Sequence, residues 1–121
     1  MQYYLTLNPE ISDVYFESSA FAYASEQLDE VEKKLGLKSH FDFFSFEAQN
    51  DLMPEEHQET ETLWFDPQAG IDWLETLSSH IRSHPDCVSD SAKLLSDFSD
   101  CLEVLKQAKT AGSQWHFAMD I

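Results

Sequence analysis

A mixed α+β domain, with helices packed on one face of an antiparallel sheet, is what this sequence predicts, and three observations carry the prediction. The chain opens and closes on alternating runs: Tyr3, Leu5 and Leu7 against Tyr4 and Thr6 at one end, and Trp115, Phe117, Met119 and Ile121 against His116, Ala118 and Asp120 at the other. A period of two marks a half-buried strand. Between these runs apolar residues recur at helical spacing, most regularly at Leu94, Leu95, Phe98, Cys101, Leu102, Leu105 and Ala108. The 121 residues are 42% hydrophobic and include 9 Phe, 4 Tyr and 3 Trp, enough to fill one core and too much for an acidic disordered chain. A single domain over residues 1–121 is therefore expected.

Each element has its own signal. The first strand covers residues 3–7 and ends at Asn8-Pro9. Phe21, Ala24, Leu28, Val31 and Leu35 then fall on one helical stripe, with Lys33 and Lys34 in the last turn and Gly36 as the stop. The opposite face, with Glu26, Asp29, Glu30 and Glu32, reads as solvated. Phe41 to Phe46 is short, rich in β-formers and apolar on both sides, which predicts a second strand, either central and covered twice or covered once and exposed at a partner surface. Residues 47–61 contain Pro54 and six carboxylates with no Lys or Arg, and read as a long acidic loop.

Thr62-Leu63-Trp64-Phe65 predicts a third strand. Asp66-Pro67 starts the next helix for two separate reasons: the carboxylate caps free amides, and proline at the first helical position has no N–H to leave unpaired. Ile71, Leu74, Leu77 and Ile81 form its buried stripe, and Pro85 closes it. A further capped start at Ser89 or Asp90 opens the longest helix, which Gly112 ends. The predicted order is β-α-β-β-α-α-β. A ferredoxin-like arrangement with its second helix doubled, and with the sheet open on the side away from the helices, is the specific expectation.

Charge is the least ordinary feature of the chain. It has 23 Asp and Glu against 7 Lys and Arg, a net −16, which argues against nucleic acid and anionic membranes as partners. Residues 39–81 hold ten acids and no Lys or Arg, whereas residues 1–38 carry 7 acids with 3 bases and residues 82–121 carry 6 with 4. Such a field steers a basic partner toward it. The leading expectation is accordingly a non-catalytic, cytoplasmic binding protein, an immunity-type inhibitor or a mimic of nucleic-acid charge acting on a basic protein. Glu47, Asp51, Glu55, Glu56, Glu59 and Glu61 would face the partner's Lys and Arg, with Trp64 as the apolar anchor. Solubility alone is the plainer account of the same acids.

Chemistry-bearing motifs are scarce. The opening residues hold no basic residue and no long apolar stretch, so no secretory signal is expected, and no run approaches the roughly 20 residues of a membrane span. Cys87 and Cys101 lack CxxC spacing. His80 and His84 stand four apart on one helix, but without the glutamate of His-Glu-x-x-His or a third ligand, so no metal is expected. With only Gly36, Gly70 and Gly112, no phosphate-cradling loop or dinucleotide fingerprint exists, and no cofactor is expected. No serine stands in a Gly-x-Ser-x-Gly turn, so no catalytic residue is assigned.

Two other classes compete with the binding protein. A small-molecule-binding or enzymatic domain would use Tyr4, Trp64, His116 and Asp120 on the open sheet face, although His116 and Asp120 lie about 13 Å apart along a strand, too far for a hydrogen-bonded dyad. Solvated edge positions are the plain reading of those two residues. A structural homodimer would instead hide the same face.

Overall fold

In the computed structural model, which describes residues 1–45 and 62–120, the first and last strands are direct partners. β1 (Gln2–Asn8) and β3 (Gln114–Asp120) pair antiparallel along their whole lengths, from Gln2 opposite Asp120 to Asn8 opposite Gln114. A two-residue strand, β2 (Glu17–Ser18), joins the other side of β1, giving the order β2-β1-β3. The register puts Tyr3, Leu5 and Leu7 on one face with Met119, Phe117 and Trp115, and leaves Tyr4 and Thr6 on the other with Ala118 and His116.

The first face is closed by helices. α1 (Ser19–Tyr23) begins at Ser18, whose hydroxyl accepts the Phe21 N–H at 2.9 Å and donates to the buried Asp97 carboxylate at 2.7 Å. α2 (Ser25–Leu35) follows after a break at Ala24, where the sequence predicts one uninterrupted helix. α3 (Pro67–Ser83) starts where Asp66 accepts the Gln68 N–H, with Pro67 in its first turn, as expected. α4 (Ser91–Ala111) is capped by Asp90 and ends at Gly112, whose φ of 72° is the left-handed geometry that side chains resist. Gly70 has a different task. A Cβ there would stand 2.4 Å from Trp115 Cζ2, so its absence lets α3 lie against β3.

Phe21 stands at the middle of the core, with ring centroids of Tyr3, Phe98 and Phe117 at 4.9, 5.3 and 5.2 Å in edge-to-face contact. Phe98 comes from α4 and Phe117 from β3, so one side chain ties helix and sheet together. Burial of these rings supplies the main driving force, on the order of 2–3 kcal/mol for each.

Among the described residues neither of the two predicted middle strands forms, nor does the antiparallel pair they were expected to make. The observed order is β-β-α-α-α-α-β, and the ferredoxin-like arrangement is not confirmed. His40–Phe43 forms a 3₁₀ turn because Ser39 and Asp42 make a reciprocal capping box, which outweighs the β-preference of three phenylalanines. Phe44 retains a single parallel bridge to Phe117, and Phe65 a single antiparallel bridge to Trp115, both against β3. Phe46 and the predicted acidic loop at 47–61 lie outside the described residues. No helix among the described residues is long and apolar enough to cross a membrane.

Candidate functional site

The densest polar chemistry lies under the helices. Ser25 begins α2, and Glu32 follows seven residues later, two turns along the same face. The 3₁₀ turn brings His40 back onto that face. Its Nδ1 is 2.9 Å from both oxygens of Glu32, and its backbone N–H donates to Glu32 Oε2 at 2.9 Å. Its Nε2 lies 2.7 Å from Ser25 Oγ, and Tyr3 donates its phenolic hydrogen to the same oxygen at 3.1 Å. His40 is 0% exposed and Glu32 1%, while Ser25 is half-buried. Phe41, Phe21 and Tyr3 pack around the imidazole.

Donor and acceptor counting orders the protons along this chain. A carboxylate accepts only, so the hydrogen between Glu32 and His40 sits on Nδ1. In the neutral ring Nε2 then accepts, and the Ser25 hydroxyl donates to it while accepting from Tyr3. Every polar atom of the four side chains is thereby used. Glu32 is a correction to the solvated face predicted for α2. Leu28, Val31 and Glu32 are all buried, and a carboxylate on that stripe is tolerated because His40 meets it with two N–H groups.

Ser25 also reaches the surface. It lines a cavity of about 390 Å³ together with Ala22, Tyr23, Glu26, Gln27 and Ser89. A neighbouring cavity of about 330 Å³, between the starts of α2 and α4, shares Tyr23, Gln27 and Ser89 with it. Ala24, the residue before α2, supplies no side-chain cap to the helix's first amides.

The outer sheet face assembles part of the predicted pocket. Tyr4 stands opposite Ala118, Asp120 opposite Gln2, and Trp64 lies over His116 with ring centroids 4.5 Å apart. His116 and Asp120 do not behave as the solvated pair expected of them. Asp120 is exposed, but His116 is 1% exposed because Trp64 covers it. Its Nδ1 donates to the Phe117 carbonyl at 3.1 Å, and among the described residues Nε2 has no hydrogen-bond partner. Tyr4 remains exposed at 39%.

Of the predicted partner-binding residues, Trp64 is half-buried on this face. Glu47, Asp51, Glu55, Glu56, Glu59 and Glu61 lie outside the described residues. The other acids of the 39–81 stretch, Asp42, Asp66, Asp72 and Glu75, are all exposed. Among the described residues no Lys or Arg pairs with any of these four. Lys33 and Lys93 pair with Asp29 and Asp97 one turn away on their own helices. Those bonds raise both ammonium groups above their ordinary range. Lys109 reaches the amide oxygen of Gln68.

His80 and His84 stack with centroids 4.4 Å apart beside Glu75, Ser79 and Ser83. Desolvation pushes the His80 pKa below 6.5, and the neighbouring His84 and Lys34 push the same way. No group of three or more metal-ligating side chains exists among the described residues. Both thiols are free, and burial raises each, most strongly at Cys101 inside the core.

No family model, curated protein or solved structure matches this chain. Its function has to be read from its own residues.

Proposed function

We propose that this protein binds a basic protein partner through the acidic stretch at 47–61 and the adjoining Trp64. The mechanism is occlusion. Carboxylates meet the partner's Lys and Arg and steer its approach, and Trp64 supplies the apolar contact that slows departure. An immunity-type inhibitor or a mimic of nucleic-acid charge acts in this way. The observation that carries the reading is the segregation of charge: all seven Lys and Arg lie outside residues 39–81, and the exposed acids described within that stretch are left without a Lys or Arg partner among the described residues.

The test separates a local patch from net charge, because at physiological salt fields fade within about 8 Å. A lysine- and arginine-rich peptide serves as the probe, and association rates are measured by stopped flow at that salt. Replacing Glu55, Glu56, Glu59 and Glu61 by Gln together is expected to slow association about tenfold, within the range electrostatic steering provides. Replacing the exposed Glu10, Glu17, Glu30 and Glu103 by Gln removes the same charge elsewhere and is expected to change the rate less than about twofold. Equal effects from the two variants would overturn the reading.

A further inference from the structure

We propose that Ser25 is a nucleophile, activated by His40 and Glu32, that accepts acyl groups from small uncharged carboxylic esters entering the cavity beside it. The inference is independent of the partner-binding surface. It rests on three geometrical facts taken together. The Ser25 Oγ to His40 Nε2 distance of 2.7 Å and the His40 Nδ1 to Glu32 distance of 2.9 Å place nucleophile, base and orienting carboxylate in a line of direct hydrogen bonds. The base and the carboxylate are buried, while the serine that ends the line also lines a cavity at the surface. Ser25 is also the first residue of an eleven-residue helix whose first turn receives no side-chain cap. A carbonyl oxygen bound beside Ser25 would be within reach of the positive end of that helix.

A chain of hydrogen bonds serving only to satisfy buried groups does not need a cavity-lining serine at its end. Here the two properties coincide in one residue. The cavity also limits the ligand. Ala22 and Tyr23 give it an apolar side, and Glu26 opposes an anionic one, so the substrate class is a neutral ester with a small acyl group.

The chemistry balances with water as the only co-reactant. Ser25 Oγ attacks the carbonyl carbon, its proton passes to His40 Nε2, and the new C–O bond forms as Glu32 holds the imidazolium. The ester C–O bond then breaks, and the leaving alkoxide takes that proton to depart as an alcohol. Water, giving a proton to the same nitrogen, attacks the acyl-serine and releases the carboxylic acid, and the proton returns to Ser25. Tyr3, which donates to Ser25 Oγ, fixes the rotamer of the hydroxyl and is a positioning residue.

The experiment is covalent capture on the intact chain. A fluorophosphonate forms an O–P bond to an activated serine while its P–F bond breaks and fluoride leaves. Mass spectrometry of the native protein is expected to find one adduct, on Ser25, forming at least about 100-fold faster than on Ser25 of the urea-unfolded chain, in line with general-base assistance. Ser25→Ala, a small change at a half-buried position, is expected to keep the native circular dichroism and to lower the release of p-nitrophenol from p-nitrophenyl acetate by about the same factor. Labelling of Ser25 no faster in the native protein than in the unfolded chain, or ester hydrolysis unchanged in a folded Ser25→Ala variant, would overturn the proposal.

Discussion

Two buried histidines on opposite faces of one sheet are treated differently. On the helix side His40 uses both ring nitrogens and its backbone N–H, between Glu32 and Ser25. On the outer side His116 uses, among the described residues, Nδ1 alone, against a neighbouring carbonyl, and its ring packs against Trp64. A buried polar atom without a partner costs about 1–3 kcal/mol, whereas a satisfied one costs little. The first environment is therefore committed to its imidazole. The second would accept an aromatic hydrocarbon in its place.

The largest expected effect follows from that contrast. Glu32→Ala strands two donors of His40 inside the core and is expected to cost about 3 kcal/mol, read as a lower urea midpoint. His116→Phe removes a nitrogen without a partner among the described residues and one bond to the Phe117 carbonyl, which the Ser45 N–H also serves, and is expected to change stability by less than about 1 kcal/mol. If the two variants came out in the reverse order, the contrast between the faces would be broken. A smaller effect sharpens it. Trp64→Ala uncovers one side of the outer face and is expected to cost about 1 kcal/mol, while the rate of His116 modification by diethylpyrocarbonate rises and that of His40 stays where it was.

The elements legible in the sequence were those whose signals are local. β1 and β3 follow from alternation, and α3 and α4 from a stripe with a cap at one end and a Pro or Gly stop at the other. The stretch from Phe41 carries two competing local signals, the β-propensity of its phenylalanines and the Ser39-x-x-Asp42 capping pattern beside it. That pattern is a short helical start, and the structure uses it as one. Ser39 caps its turn by the same local chemistry that makes Asp66 and Asp90 legible as caps.

The polar cluster was harder to see. Ser25, Leu28 and Glu32 share a helical face by spacing alone, and that sharing was the available signal. A glutamate on an apolar stripe ordinarily reads as a boundary position, and nothing local places His40 beside it. That contact depends on the turn after Gly36 and on Tyr3, which arrives from another strand. The outer face was half legible. Alternation puts Tyr4, His116 and Asp120 on one side, and the register places Tyr4 between the other two. The burial of His116 was not, because Trp64 covers it from a segment predicted to be a strand of its own.

Long-range ¹⁵N–¹H correlation of the histidine side chains reads the proton position on His40 directly. The hydrogen-bond order derived from Tyr3 through Ser25 and His40 to Glu32 predicts a hydrogen on Nδ1, shifted downfield by the carboxylate, with Nε2 bare toward the serine. A spectrum placing the hydrogen on Nε2 would reverse that order, leave Ser25 without a base, and contradict the account.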